Sequence, residues 1–290
     1  MSFAFVGAPL DRAEHLRNSP SALAALWPQA RLLLLDAEGN ALAAADDALL
    51  TVEGAAVAPA LPEDAVFLGL HGERGWFALP AEQAGIDAPR RINLRGAAAN
   101  WPLRESTAFA QARAVLHWRS RHRYCGACGG PLGFARAGWL GECARCNIEH
   151  YPRTDPAVIV SVSDGERLLL GREASWPARR WSVLAGFVEP GETLEQTVMR
   201  EVFEESQVRV RACRYLGSQP WPFPSSLMLG FEADAEPDDP VPNPDELEDV
   251  RWFTREEIGA ALRGETEEEG VLLSAPVSIS RWLIERWYRA

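Results

Sequence analysis

Four of the chain's five cysteines fall in two C-x-x-C pairs, Cys125-Gly-Ala-Cys128 and Cys143-Ala-Arg-Cys146, with 14 residues between them. Paired thiolates at this spacing can close a tetrahedron around Zn²⁺, so residues 121–152 are predicted to form a small metal-nucleated module that divides the 290-residue chain. With cysteine at all four positions the ion has no open coordination site, which makes its role structural. Gly126, Gly129 and Gly130 offer the backbone freedom that knuckle turns need. Arg113, His117, Arg119, Arg121, His122 and Arg123 lie just upstream and read either as a phosphate-contacting patch or as a solvated helix face. Cys213 has no histidine near it in sequence and reads as a small apolar core residue.

On the N-terminal side, residues 1–120 alternate short apolar runs (Leu32 to Leu35, Val66 to Leu70, Trp76 to Leu79) with turn-like segments such as Asp36 to Asn40 and His71 to Gly75. A helix is predicted from Ser106 to Arg119. On the C-terminal side, residues 153–290 open with a strand, Ala157 to Val162, a turn at Ser163 to Gly165 and a second strand, Arg167 to Leu170. They continue as α/β to a terminal helix around Val277 to Tyr288. Glu232 to Asp249 carries nine carboxylates and no base, and most of it is expected to be a solvated loop, because charges so dense are costly to bury.

The charge balance is 41 acidic against 29 basic residues, all of the latter arginine, and the net charge of -12 argues against general affinity for nucleic-acid backbones. No basic stretch leads into an apolar run near the start. The apolar segment Ala22 to Leu35 is broken by Pro28 and Arg31, short of a membrane span. A soluble, cytoplasmic protein is expected, and the cysteine clustering then favours metal over disulfides.

The segment from Gly186 to Glu205 reads as a glycine-bounded loop followed by a helix. Its apolar positions Leu194, Val198 and Val202 recur every four residues and define a buried face. Glu201, Glu204 and Glu205 stand at i, i+3 and i+4, so their carboxylates are expected on one exposed side of that helix. Taken alone the triad admits two readings, an ordinary acidic surface helix or a cation site. Oxygen ligands of this kind suit Mg²⁺ or Mn²⁺, which bind diphosphate oxygens and lower the pKa of an attacking water.

The full spacing is Gly186, five residues, Glu192, seven residues, then Arg200-Glu201-Val202-x-Glu204-Glu205, and it resembles the signature of the Nudix hydrolases. The resemblance implies an α/β/α sandwich with a mixed sheet acting on nucleoside diphosphates linked to another group. It also implies that Glu201, Glu204 and Glu205 hold Mg²⁺ or Mn²⁺ with help from the backbone carbonyl of Ala185, while Glu192 and Arg200 pair to fix the loop. One position departs from the pattern, since the usual glycine two places after the last glutamate is Gln207. If that site needs positive φ, glutamine adopts it at a cost of about 1 kcal/mol or is accommodated by a shifted helix end, felt in local stability more than in catalysis.

Downstream, Ser218-Gln-Pro-Trp-Pro-Phe-Pro-Ser-Ser226 alternates aromatics with prolines that stiffen the backbone. Such an array suits either packing against a ligand with two planar bases or a loop that merely caps the core. It resembles the motif of the NADH diphosphatase branch of the family, whose members carry a zinc ribbon before the Nudix domain and a reduced Nudix-like domain at the N-terminus. By that resemblance Gln219, Pro220, Trp221, Pro222, Phe223, Pro224, Ser225 and Ser226 line a dinucleotide pocket, and Phe187 and Tyr151 stack on a base. Tyr151 would act across a homodimer, Glu246 would be a further metal-binding acid with Glu248 as a close competitor, and Ser280 would be a weaker substrate contact. The implied reaction is hydrolysis of NADH, and of NAD, to nicotinamide mononucleotide and AMP, with extension to NAD-capped RNA. Alternatives are a diphosphatase for ADP-ribose or another nucleoside diphosphate derivative, and a non-catalytic zinc-ribbon module that binds nucleic acid.

Overall fold

The leucine run near residue 33 becomes the middle of a sheet. The computed structural model describes residues 3–265 and 270–290, and the chain forms two units: one is Ala4–Thr154 with Pro222–Ser225, the other, among the described residues, is built on Asp155–Trp221 and the chain from Ser226 onward, with Phe3. The expected spans 1–120 and 153–290 thus include a few positions that lie outside the described residues.

In the unit built on Ala4–Thr154, strands β1 (Arg31–Leu35), β2 (Ala41–Ala43), β3 (Val66–His71), β4 (Arg74–Pro80) and β5 (Arg90–Ile92) form a sheet of order β3-β4-β1-β2-β5. Strand β1 is parallel to β4, from Arg31 opposite Trp76 to Leu35 opposite Pro80, and Leu32 to Leu35 are all buried. A strand covered on both faces needs a continuous apolar run, which is why no alternation appears there. Trp27, Leu32, Leu34, Phe67, Phe77 and Leu79 fill the core. The helices are α1 (Pro20–Leu26), the single turns α2 (Gly54–Val57) and α3 (Ala81–Ala84), α4 (Leu94–Asn100) and α5 (Leu103–Arg121). Helix α5 extends the predicted Ser106 to Arg119 at both ends: Pro102 is its N-cap, and Ser120 and Arg121 continue it.

The cysteine segment follows in the same unit as a three-stranded sheet, β6 (Leu132–Ala135), β7 (Leu140–Cys143) and β8 (Glu149–His150). The second unit has a sheet of order β13-β14-β9-β10-β15, with β12 also paired to β9. Its strands are β9 (Asp155–Ser163), β10 (Leu168–Arg172), β12 (Leu184–Phe187), β13 (Val210–Trp221), β14 (Ser226–Ala235) and β15 (Asp249–Phe253). A short parallel pair, β11 (Arg180–Trp181) and β16 (Leu272–Leu273), lies apart. Strand β14 runs parallel to β9 while the other pairings are antiparallel, so the sheet is mixed. Helices α6 (Leu194–Ser206), α7 (Arg255–Arg263) and α8 (Ile279–Arg289) accompany it. The acidic stretch is less of a loop than expected: Glu232 to Ala235 complete β14 and Asp249 opens β15, because alternate residues there are buried against the sheet core.

Helix α6 starts at a capping box. Thr193 Oγ1 accepts from the Gln196 amide at 3.2 Å and Gln196 Oε1 accepts from the Thr193 amide at 2.8 Å. It ends on Gln207 at φ 59° and ψ 10°, the left-handed conformation anticipated for that position. The Gln207 amide donates to the Phe203 carbonyl at 2.8 Å, as a C-terminal cap requires. Gln207→Gly is expected to stabilise the protein by roughly 0.5–1 kcal/mol without altering hydrolysis rates, since it relieves the Cβ strain and touches no carboxylate. A denaturant midpoint that falls on this substitution would refute the assignment of strain.

Candidate functional site

Helix α6 buries Val198 and Val202 completely and Leu194 in part, the apolar face read from the sequence. The carboxylates beside it are not all on an exposed side. Glu204 is exposed, Glu201 is half-buried, and Glu205 is only 8% exposed. The loop downstream is tied to this end of the helix: the Asn243 amide donates to the Glu205 carbonyl at 3.2 Å and the Val241 amide to the Ser206 carbonyl at 2.9 Å, capping the carbonyls left free there.

That loop carries Glu246 toward the helix. Burial first, and then the charges of Glu201, Glu246, Glu173 and Glu204, push the Glu205 carboxyl up to about 8. Burial also raises Glu201, with Glu204 and Glu246 adding to the shift and Arg200 opposing it. Glu248, the neighbour in sequence, is taken by an ion pair with Arg172, and its amide donates to the Arg172 carbonyl at 2.9 Å. Glu205 Oε2 is buried with no hydrogen-bond partner among the described residues. A buried, orphaned carboxylate oxygen with further carboxylates acting on it is the donor chemistry a divalent cation takes, although among the described residues these oxygens are not drawn together as the cysteine sulfurs are.

Glu192 and Arg200 hold the approach loop. Arg200 Nε donates to Glu192 Oε1 at 2.6 Å and Arg200 Nη2 to Glu192 Oε2 at 2.8 Å, a two-pronged pair. Arg200 also donates to the Phe187 carbonyl at 3.0 Å and lies 2.9 Å from both Glu201 Oε1 and Glu204 Oε2. The Thr197 hydroxyl donates to Glu192 Oε2 at 2.9 Å, and the Glu189 amide to the same oxygen at 3.1 Å. With Arg200 as the main cause, Glu192 falls to about 2. Ala185 stands on β12 opposite Ile159, one residue before Gly186, where any Cβ would overlap the Glu201 carboxylate. Gly186 is thus a close-approach glycine.

The proline-rich motif forms the end of a hairpin, with Gln219 opposite Met228, Pro220 opposite Leu227 and Trp221 opposite Ser226. Strand β13 is at the sheet edge, where Pro220 costs no ladder bond. Gln219 is fully buried: its Nε2 donates to the Val277 carbonyl at 2.9 Å and its Oε1 accepts from the Ile279 amide at 2.8 Å. Its amide therefore fastens the hairpin to the start of α8. Ser280, next on that helix, is buried with its hydroxyl 2.8 Å from that of Ser182. Trp221, Ser225 and Ser226 are partly exposed, Pro224 is exposed and Pro222 is buried. Phe187 and Tyr151 are 60% and 57% exposed, and the Tyr151 hydroxyl donates to Glu149.

The four cysteine sulfurs lie within 4.8 Å of one another, the one such grouping of three or more His, Cys, Asp or Glu ligand atoms among the described residues. Cys125 and Cys146 are 3.6 Å apart and Cys128 and Cys143 3.4 Å, close to the edge of about 3.8 Å set by Zn–S bonds of about 2.3 Å in a tetrahedron. The two knuckles turn alike. Gly129 at φ 70° sends its amide to the Cys125 carbonyl, and Asn147 at φ 58° sends its own to Cys143. Of the three glycines read as turn formers, Gly129 alone has positive φ. Amides of Ala127 and Cys128 pull the Cys125 thiol down to about 6, and His150 Nε2 lies 3.3 Å from its sulfur. Upstream, Arg119 is buried in an ion pair with Asp64 at 2.9 Å, which removes it from the basic patch considered as a phosphate contact.

Thr197, Gln196 and Arg172 were not among the residues expected to matter. A threonine three places before a glutamine is a legible capping signal; Thr197 acts on Glu192 five residues upstream, and Arg172 reveals itself only through Glu248, far along the chain.

Family models match three consecutive stretches: an NADH pyrophosphatase-like rudimentary NUDIX domain at residues 21–118, an NADH pyrophosphatase zinc ribbon domain at 120–151 and a NUDIX domain at 152–274. The chain is 43% identical over 295 residues to the NAD-capped RNA hydrolase NudC of Mycobacterium bovis (strain BCG / Pasteur 1173P2), covering 97% of this chain and 93% of that protein. It is 46% identical over 175 residues to the protein of the same name from Stutzerimonas stutzeri, covering 60% of this chain and 59% of that one. A solved NUDIX hydrolase from Nitrosomonas europaea aligns with a TM-score of 0.41 at 29% identity, over 46% of this chain and 78% of that one.

Proposed function

Because the chain belongs to the zinc-ribbon NADH pyrophosphatase branch of the Nudix hydrolases, we propose that it hydrolyses the diphosphate bond of NADH and NAD, releasing nicotinamide mononucleotide and AMP. The observation that carries this reading is the buried Glu205 carboxylate, with an orphaned oxygen beside Glu201, Glu204 and Glu246. Mg²⁺ or Mn²⁺ held there by these acids and the Ala185 carbonyl would offset diphosphate charge and activate water. The Glu192–Arg200 pair keeps the loop before α6 in place, and Gly186 leaves room for the Glu201 carboxylate. Residues 219–226 line the dinucleotide pocket, Gln219 by fixing the hairpin, and Phe187 and Tyr151 offer exposed rings for a base. Zinc in the ribbon is structural. Domains at 1–120, 121–152 and 153–290, a homodimer completed by Tyr151, and a cytoplasmic location belong to the same reading. No helix among the described residues is long and apolar enough to cross a membrane.

Removal of NAD caps from RNA extends the same chemistry, and the relatives named for that activity support it. Purified protein with Mg²⁺ or Mn²⁺ is expected to convert NADH to AMP and reduced mononucleotide, separable by chromatography, and NAD-capped RNA is expected to compete at low salt. Cleavage of ADP-ribose with neither NADH nor NAD attacked would overturn the substrate assignment.

A further inference from the structure

The tip of the motif hairpin, Pro222–Ser225, groups with the unit built on Ala4–Thr154, and so do the arginines that surround it. The guanidinium carbon of Arg95, on α4, lies 4.4 Å from the centroid of the Phe223 ring, and that of Arg113, on α5, lies 5.1 Å away. Arg113 also donates to the Pro222 carbonyl. Two cations gathered on one ring repel each other, and burial together with the charge of Arg95 lowers the Arg113 pKa. The electron-rich face of the ring and the carbonyl oxygen contribute to offsetting that repulsion. Arg113 is seated by the turn at Gly39: a Cβ at that glycine, which has φ +79°, would come within 3.1 Å of its Nε. This is an arginine built into the fold.

We propose that Arg95 and Arg113 are positioning residues that clamp Phe223, so that the ring serves as the handle by which the substrate hairpin is held and not as a platform for a base. The proposal rests on the reading of residues 219–226 as the dinucleotide pocket. A hairpin fixed before substrate arrives has less conformational freedom to lose on binding, so the clamp contributes to affinity for ground state and transition state alike. Its loss raises KM and leaves kcat largely unchanged, because the glutamates and Arg200 are untouched.

The test compares Arg95→Ala, Arg113→Ala, Phe223→Leu and Phe223→Trp by NADH kinetics and by amide hydrogen exchange of peptides covering residues 216–230, with zinc content as a check on folding. We expect the two arginine variants and Phe223→Leu to raise KM about 5- to 10-fold with kcat within about twofold, as loss of uniform binding requires. The same three should speed exchange in the hairpin. Phe223→Trp, which keeps an aromatic face, should restore both. Phe223→Leu combined with Arg113→Ala should be no worse than either alone, the non-additivity of residues that act on each other. If the arginine variants exchange and bind like the parent while Phe223→Leu alone raises KM, the ring contacts substrate directly and the clamp is wrong. If the parent does not attack NADH, the substrate reading fails, and the exchange data still decide the clamp.

Discussion

Glu205→Gln is expected to lower NADH hydrolysis roughly 10³-fold, the scale of several kcal/mol that metal-assisted phosphoryl chemistry supplies, and at the same time to stabilise the metal-free protein. The second half follows from protonation. An exposed glutamate titrates near 4.5, whereas Glu205 in the folded chain holds its proton up to about 8. Between those values the folded state binds a proton that the unfolded state has released, so this group makes metal-free stability fall as pH rises. At pH 7 the penalty is at most about 3 kcal/mol, and glutamine removes it. Thermal melts in EDTA at pH 5, 7 and 8 should show the variant gaining on the parent as pH increases, with no gain below about pH 4.5. A metal-free variant that melts below the parent at pH 8 would contradict the burial on which this rests. In the parent, Mg²⁺ or Mn²⁺ should raise the melting temperature more at pH 8 than at pH 6, since binding must displace that proton.

Cys143→Ser should abolish zinc binding and collapse the ribbon, because Cys143 is both a ligand candidate and the last residue of β7, paired with Leu132. Structural zinc sites contribute on the order of 10 kcal/mol, comparable to the whole stability of a domain. The parent is expected to hold one zinc per chain, and stripping it should lower the melting temperature by well over 10 °C. Full zinc content in the serine variant, or a melting curve indifferent to chelation, would remove the structural role assigned to these four thiolates.

What was readable in the sequence was local. The i, i+3, i+4 placement of Glu201, Glu204 and Glu205 follows from helical geometry, and the knuckle spacing of the cysteines from zinc geometry. A positive φ at Gln207 was legible only as a condition, from the glycine that the resembling pattern usually has there, and the helix end meets it at φ 59°. What was not readable came from partners far along the chain. Glu205 was expected on an exposed face but is buried, at an end of α6 whose carbonyls are capped by the amides of Asn243 and Val241. Gln219 sits inside a motif that points to substrate, yet its amide is spent on Val277 and Ile279. Arg113 and Arg119 counted as members of one basic patch, and the fold gives them separate tasks at Phe223 and Asp64. In the N-terminal sheet the apolar runs marked the strands but not their order, since nothing in Leu32 to Leu35 announces that its parallel neighbour is Trp76 to Leu79.

The parallel pairing of β9 with β14, which sets Asp155 opposite Ser226, also orders events in time. A parallel neighbour cannot be delivered by a tight hairpin, so that ladder closes only after the intervening chain, α6 included, has been gathered in, and such non-local contacts form slowly. The four thiolates, by contrast, are close together in sequence and can capture their ion early. On the metal assignments proposed above, a folding chain should take up zinc while the sheet is still open, and the oxygen-ligated ion only once Glu246, which follows β14 in the chain, has reached α6.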